Sequence, residues 1–124
     1  MALEEYVGAV ILDLDGREVD CTSLSVNENT GRRGVKTMNR TGRIGGYTEG
    51  VKSYDLTLTV VIPKDGDEPA WGSIVGAKVS REMISGGGRT SYLDCFTVGV
   101  GTTFEVEGEA RKTINMVASR EVQE

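Results

Sequence analysis

From Tyr54 to Val61 every second residue is bulky and apolar: Tyr54, Leu56, Leu58 and Val60 alternate with Asp55, Thr57, Thr59 and Val61. Successive side chains of a strand point to opposite faces, so this run is the signature of a half-buried β-strand rich in β-branched residues. Comparable runs lie at Val7 to Leu14, Arg17 to Glu28, Ser91 to Val100, Thr103 to Lys112 and Thr113 to Val122. A mainly β protein follows. Asp15-Gly16 is a tight-turn dipeptide between the first two runs, which predicts a hairpin over Val7 to Glu28, and Gly101-Thr102 is expected to separate two further strands.

One segment departs from period two. Pro69 follows the acidic cluster Asp65-Gly66-Asp67-Glu68, which places acids at the positive end of a helix dipole and proline in a first helical turn. Trp71, Ile74, Val75 and Lys78 continue at helical spacing, predicting a short flanking helix over Pro69 to Lys78 that Gly72 and Gly76 weaken. Extended chain is expected again over Val79 to Ile84, before a Gly86-Gly87-Gly88 loop.

At 124 residues and 38% hydrophobic, the chain suits one domain, residues 1–124, around one core. No apolar run approaches the roughly 20 residues of a membrane span, and the longest candidate, Val7 to Leu14, contains Asp13. Glu4 and Glu5 occupy the place where a secretory leader carries positive charge, so synthesis without export and no membrane binding are expected. The absence of histidine excludes Ser-His-Asp and Cys-His mechanisms and any His-containing metal site. Cys21 and Cys95 form no Cys-x-x-Cys pair and read as small buried hydrophobes that approach each other if both enter one core. No cofactor and no enzymatic activity are expected.

The net charge of −5 conceals an asymmetry. Asn29 to Gly46 holds five basic residues, Arg32, Arg33, Lys36, Arg40 and Arg43, and no acid, whereas the rest of the chain holds 9 basic and 19 acidic residues. A +5 segment set in a −10 body is complementary both to itself and to any polyanion. The same stretch has little apolar content, Val35, Met38 and Ile44, and five glycines, too little to pack a core. Its length in so small a domain points to either a disordered surface loop or a functional arm over 29–46, and the lack of any acid favours the arm. Neither Gly31-Arg-Arg-Gly34-Val-Lys36-Thr37 nor Gly86-Gly-Gly88-Arg-Thr-Ser91 meets a phosphate-loop or dinucleotide fingerprint. Asp13-Leu-Asp15-Gly16 lacks the further oxygen ligands that calcium requires and suits a turn.

Over Phe104 to Arg111, strand alternation sets Phe104, Val106, Gly108 and Ala110 on one side and Glu105, Glu107, Glu109 and Arg111 on the other. Such a carboxylate ladder is either a solvated face or a surface that must stay wet and repel DNA. Paired-carboxylate catalysis requires a group with a raised pKa, which an open ladder does not supply.

The hairpin around Leu14-Asp15-Gly16, the basic arm ending in Gly45-Gly46-Tyr47-Thr48-Glu49-Gly50, the Tyr54 to Ile62 strand, the Trp71 segment and the closing Thr113-Ile114-Asn115-Met116 strand together resemble phage tail tube proteins, especially those of Mu-like phages and prophages. The resemblance is one of layout over almost the whole chain. It implies a β-sandwich or half-barrel of antiparallel strands with one flanking helix. It also implies assembly into hexameric rings that stack head to tail into a tube through which DNA passes without specific binding.

On that resemblance, Arg32, Arg33, Val35, Lys36, Met38, Arg40 and Arg43 form the inter-ring arm, and Glu105, Glu107 and Glu109 line or border an acidic lumen. The implied partners are further copies of the chain, with sheath, tape measure and tail terminator proteins. The implied location is the virion tail, after assembly in the host cytoplasm. A tube subunit of a phage-derived secretion or bacteriocin apparatus is the near alternative. A small β-barrel nucleic-acid binder is the alternative from another class, although such proteins interleave basic residues with stacking aromatics and this arm has none before Tyr47.

Overall fold

The computed structural model describes residues 3–84, 86 and 88–124. The expectations for Met1-Ala2 and for the centre of the Gly86-Gly87-Gly88 loop lie outside those residues. Among the described residues there are ten strands: β1 (Val10–Leu14), β2 (Arg17–Val19), β3 (Cys21–Asn29), β4 (Arg33–Val35), β5 (Gly46–Thr48), β6 (Ser53–Val61), β7 (Val75–Met83), β8 (Arg89–Thr103), β9 (Arg111–Ala118) and β10 (Arg120–Gln123).

The architecture is a strongly curled antiparallel half-barrel. Strand order is β2-β1-β7-β8-β9-β6-β3, with β10 also paired to β8 and with β4 and β5 forming a separate ribbon. The 15-residue β8 makes the curl possible. Its first half pairs with β10 through Thr90 to Leu93, and its second half pairs with β9 through Phe96 to Thr103. The switch falls at Asp94, whose φ of 57° bends the strand while its carboxylate accepts a hydrogen bond from Ser119 Oγ at 3.1 Å.

The two arms of the curl close on one core. Leu12, Leu14, Ala77, Val79, Tyr92 and Cys95 come from one side, and Tyr54, Leu56, Leu58, Val60, Ile114, Met116 and Ala118 from the other. Tyr54 and Tyr92 meet across it with ring centroids 6.0 Å apart, a tilted geometry that suits the ring quadrupoles. The alternation of β6 is therefore fully used, its apolar side chains buried and Asp55 left exposed.

The Asp15-Gly16 turn forms with φ of 51° and 87°, the pair of positive values that a two-residue hairpin turn requires, and it joins β1 to β2. The expected strand Arg17 to Glu28 is divided at Asp20: β2 stays with β1, and β3 crosses to pair with β6. The expected helix over Pro69 to Lys78 contracts to one 3-10 turn, Trp71–Ser73. Gly76 has φ of 78°, outside helical backbone, and from Val75 onward the chain gains ladder hydrogen bonds to β8 that a lone helix turn cannot match. Trp71 itself is buried in the core. Gly101-Thr102 is no boundary, because β8 runs through it opposite Thr113 and Lys112. Ser119 interrupts the last run between β9 and β10.

Both cysteines are free. The Cys95 thiol, wholly buried and directed at the Tyr92 carbonyl 3.2 Å away, is pushed up to about 11 by burial. Burial and then the Asp20 charge also raise the half-buried Cys21. Thiolate is scarce in both near neutral pH, so native protein is expected to label slowly at Cys21 alone with a maleimide, and at Cys95 only after unfolding. Rapid labelling of both at pH 7.5 contradicts this placement.

Candidate functional site

Strands β3, β6, β9 and the second half of β8 form a four-stranded sheet whose inner face is core. Register assigns its outer face: one row runs Ser25, Thr57, Asn115, Gly99 and the next Ser23, Thr59, Thr113, Gly101. Thr57 Oγ1 donates to Asn115 Oδ1 at 3.3 Å across the row. The central rows thus carry hydroxyls, an amide and bare backbone, while charge enters at Asp55 toward one end and Arg111 at the other. The polar half of each alternation is visible in sequence, but its collection into one neutral face depends on the pairing order.

Both sides of this sheet end in open strand edges. β3 is the last strand on its side, and over Thr97 to Thr103 β8 pairs with β9 while no described strand covers its other edge. The ladder from β7 stops at Phe96, followed only by Thr97 N–H donating to the Ile74 carbonyl at 3.1 Å. Val98, bulged between Thr97 and Gly99, stands 65% exposed on that edge. Four antiparallel strands make the two edges run in opposite directions. A β8 edge laid against the β3 edge of a second copy therefore continues the antiparallel order. Unpaired edges of this length are templates for such pairing.

The basic arm leaves the sheet between Asn29 and Ser53, which are partners in register. Its stem is the β4–β5 ribbon, pairing Arg33 with Thr48 and Val35 with Gly46. Backbones cross closely at its root: a Cβ on Gly31 falls 2.5 Å from the Val51 carbonyl oxygen, so only glycine fits. Asn39 organises the tip, with Nδ2 donating to Thr37 Oγ1 at 3.0 Å and to the Arg43 carbonyl at 2.9 Å, and Oδ1 accepting from Thr41 Oγ1 at 2.7 Å. Val35, Met38 and Ile44 are exposed, as the sparse apolar content of this stretch led one to expect. Arg32 lies 3.6 Å from Glu49, while Arg33, Lys36, Arg40 and Arg43 have no acidic partner among the described residues.

The expected strand Thr103 to Lys112 does not form, which is a correction. Phe104 to Ala110 is a loop between β8 and β9, and the second strand begins at Arg111. A run with three carboxylates and no second sheet to cover Phe104 and Val106 gains nothing from extending the ladder, and both apolar residues stay exposed. The one-face alternation assigned to Glu105, Glu107 and Glu109 is lost with the strand, and with it the motive for placing them along a lumen. Glu109 turns back on Arg111, whose Nε donates to its carboxylate at 2.8 Å. A backbone hydrogen bond and then Arg111 hold its carboxyl below the usual range.

This loop and the arm project from opposite ends of the sheet. β6 begins at Ser53 beside the arm and ends at Val61, which pairs with Arg111 at the loop, a separation of about 26 Å at the usual strand rise. A cleft at the Val61 end is lined by Glu18, Asp20, Asp67 and Glu68 as well as Arg17. The +5 and −10 of the sequence are thus partly an axial separation of charge.

No family model and no curated protein matches this sequence. Its structure is similar to the sheath/tube terminator of an extracellular contractile injection system, PVC, with TM-score 0.75 at 14% identity over 99% of each chain. It is also similar to the SPP1 tail tube, with TM-score 0.65 at 17% identity over 92% of this chain and 75% of that one. A third similar structure is Hcp1 from Flavobacterium johnsoniae, with TM-score 0.62 at 12% identity over 95% and 94%. At these identities the likeness shows the fold, that of tail tube and tube terminator proteins. It spans injection-system, phage and Hcp structures alike and does not single out the Mu-like type.

Proposed function

We propose that this chain is a structural tube subunit whose copies join edge to edge into hexameric rings, the rings stacking head to tail into a hollow conduit. The observation that carries this reading is the neutral polar sheet face bounded by two free, antiparallel-compatible edges. Six copies joined through those edges make a continuous wall without exposed strand edges within the ring. The contact uses different patches on donor and acceptor, and the arm at one end of the sheet supplies a second, axial contact that propagates without closing.

A wall of hydroxyls, amides and glycine suits the passage of DNA, because it offers few cations to displace counterions and so does not hold a polyanion. In this reading the subunit does no chemistry and needs no cofactor. Its partners are copies of itself, with sheath, tape measure and terminator proteins at its outside, inside and end. A Mu-like phage or prophage tail in the virion, assembled in the host cytoplasm, is the setting its sequence layout favours, and a phage-derived injection apparatus is the near alternative.

Purified protein at increasing concentration, followed by sedimentation velocity and negative-stain electron microscopy, is expected to show rings and then tubes. A monomer at every concentration, with salt-dependent binding to short single-stranded DNA, overturns the reading in favour of a nucleic-acid binder. The near-complete overlap with a tube terminator favours a second reading, in which the chain ends a tube. That variant of the role predicts rings that do not stack on one another.

A further inference from the structure

Resting on the tube reading above, we infer that the β8–β9 loop of one copy is the acceptor for the arm of the next ring, Phe104 and Val106 seating in the arm tip while Glu105 and Glu107 face its cations. Three features of the molecule converge on this pairing. First, the two elements lie at opposite ends of one sheet, the arm beyond the Asn29 and Ser53 pair and the loop beyond the Val61 and Arg111 pair. Stacking copies along the strand direction brings the arm of one to the loop of the next.

Second, the surfaces fit in chemistry. Phe104 is 76% exposed and Val106 fully exposed, two apolar side chains standing alone in water on a seven-residue loop. Glu105 and Glu107 alternate with them and have no ion-pair partner among the described residues, unlike Glu109, which Arg111 engages. At the arm tip, Met38 and Ile44 are exposed apolar groups, and Lys36, Arg40 and Arg43 are unpaired cations around them. An acidic apolar loop thus answers a basic apolar arm, the pattern that selects a partner and fixes its register.

Third, the arm tip offers a recess. The arm tip curls into an open cleft lined by Lys36, Met38, Arg40, Arg43 and Ile44, held in form by the Asn39 hydrogen bonds. The exposed Phe104 and Val106 side chains are the groups the β8–β9 loop offers to that cleft. This assignment moves the Glu105 and Glu107 carboxylates from the lumen to the ring-to-ring contact and leaves the lumen to the neutral sheet face.

A charge-swap cycle tests it on the full chain. One variant carries Glu105→Lys and Glu107→Lys, a second carries Lys36→Glu and Arg40→Glu, and a third carries all four. Rings and tubes are counted by electron microscopy and sedimentation across concentration, with a thermal melt of each variant as the check on folding. The two single-side variants are expected to form rings as the parent does but to need roughly tenfold more protein or beyond to stack. The four-fold variant is expected to recover most of that loss. If the single-side variants stack like the parent, or the four-fold variant is as poor as the two losses combined, this acceptor assignment is overturned while the tube reading stands. If the parent forms neither rings nor tubes, the tube reading fails and the inference fails with it.

Discussion

A protein carrying Val98→Lys and Gly99→Lys is expected to stay monomeric where the parent forms rings, while melting within a few degrees of it. The two positions are adjacent on the open edge of β8, Val98 in the bulge and Gly99 just after it, so two lysines there confront an incoming β3 edge with charge. Lysine on an edge strand is the usual device by which sheets refuse further strands. A Cβ on Gly99 meets nothing within 4 Å, and Val98 is already largely exposed, so the folded subunit has little to lose. The midpoint concentration for ring formation should rise by roughly a hundredfold, about 2.8 kcal/mol for each contact. Equal ring formation by parent and variant in sedimentation velocity would falsify edge-to-edge closure through this strand.

Leu58→Ala has the largest expected effect on the subunit itself. Leu58 is 0% exposed at the centre of β6, between Leu24 of β3 and Ile114 of β9 in register. Truncation of a buried leucine costs about 3 kcal/mol or more, the lost transfer energy plus the cavity, and lowers the melting temperature by roughly 10 °C in a chain of this size. The measurement is urea unfolding of dilute monomer followed through Trp71, which is buried and reports loss of the core by a red shift. An unchanged midpoint places Leu58 outside the cooperative core. The corresponding change at Thr57, on the neutral outer face, is expected to leave the midpoint nearly unmoved.

The strongly alternating elements were legible because burial alternates wherever one face of a strand meets the core. Tyr54 to Val61 and Ile114 to Ala118 read correctly for that reason, and Asp15-Gly16 read correctly because its turn is a local backbone requirement. Phe104 to Ala110 alternates just as cleanly and is a loop. Alternation states what a strand would bury, and Phe104 and Val106 have no described element to bury them. The helix over Pro69 to Lys78 failed in the same way, since spacing alone did not reveal that β8 was available to pair with Val75 and Ala77.

The candidate surfaces divide along the same line. That Arg32, Arg33, Lys36, Arg40 and Arg43 lie in an excursion outside the core follows from composition, because Val35, Met38 and Ile44 cannot bury enough area to hold that stretch inside. The neutral face was hidden although every residue in it was in plain view. Ser25, Thr57, Asn115 and Gly99 are far apart in the chain and become one row only through strand order and register.

By itself, then, the amino-acid order determined a β-rich chain, the buried half of its main strands, the absence of histidine chemistry and a basic arm apart from an acidic body. These are properties of local period and composition, which need no knowledge of partners. Tertiary structure alone decided that β3 leaves β2 for β6, that β8 bends at Asp94 to leave an open edge, and that the arm and the acidic loop stand at opposite ends of one sheet. Those outcomes are settled by competition among non-local pairings, whose free energies depend on all the strands at once and are written in no single segment.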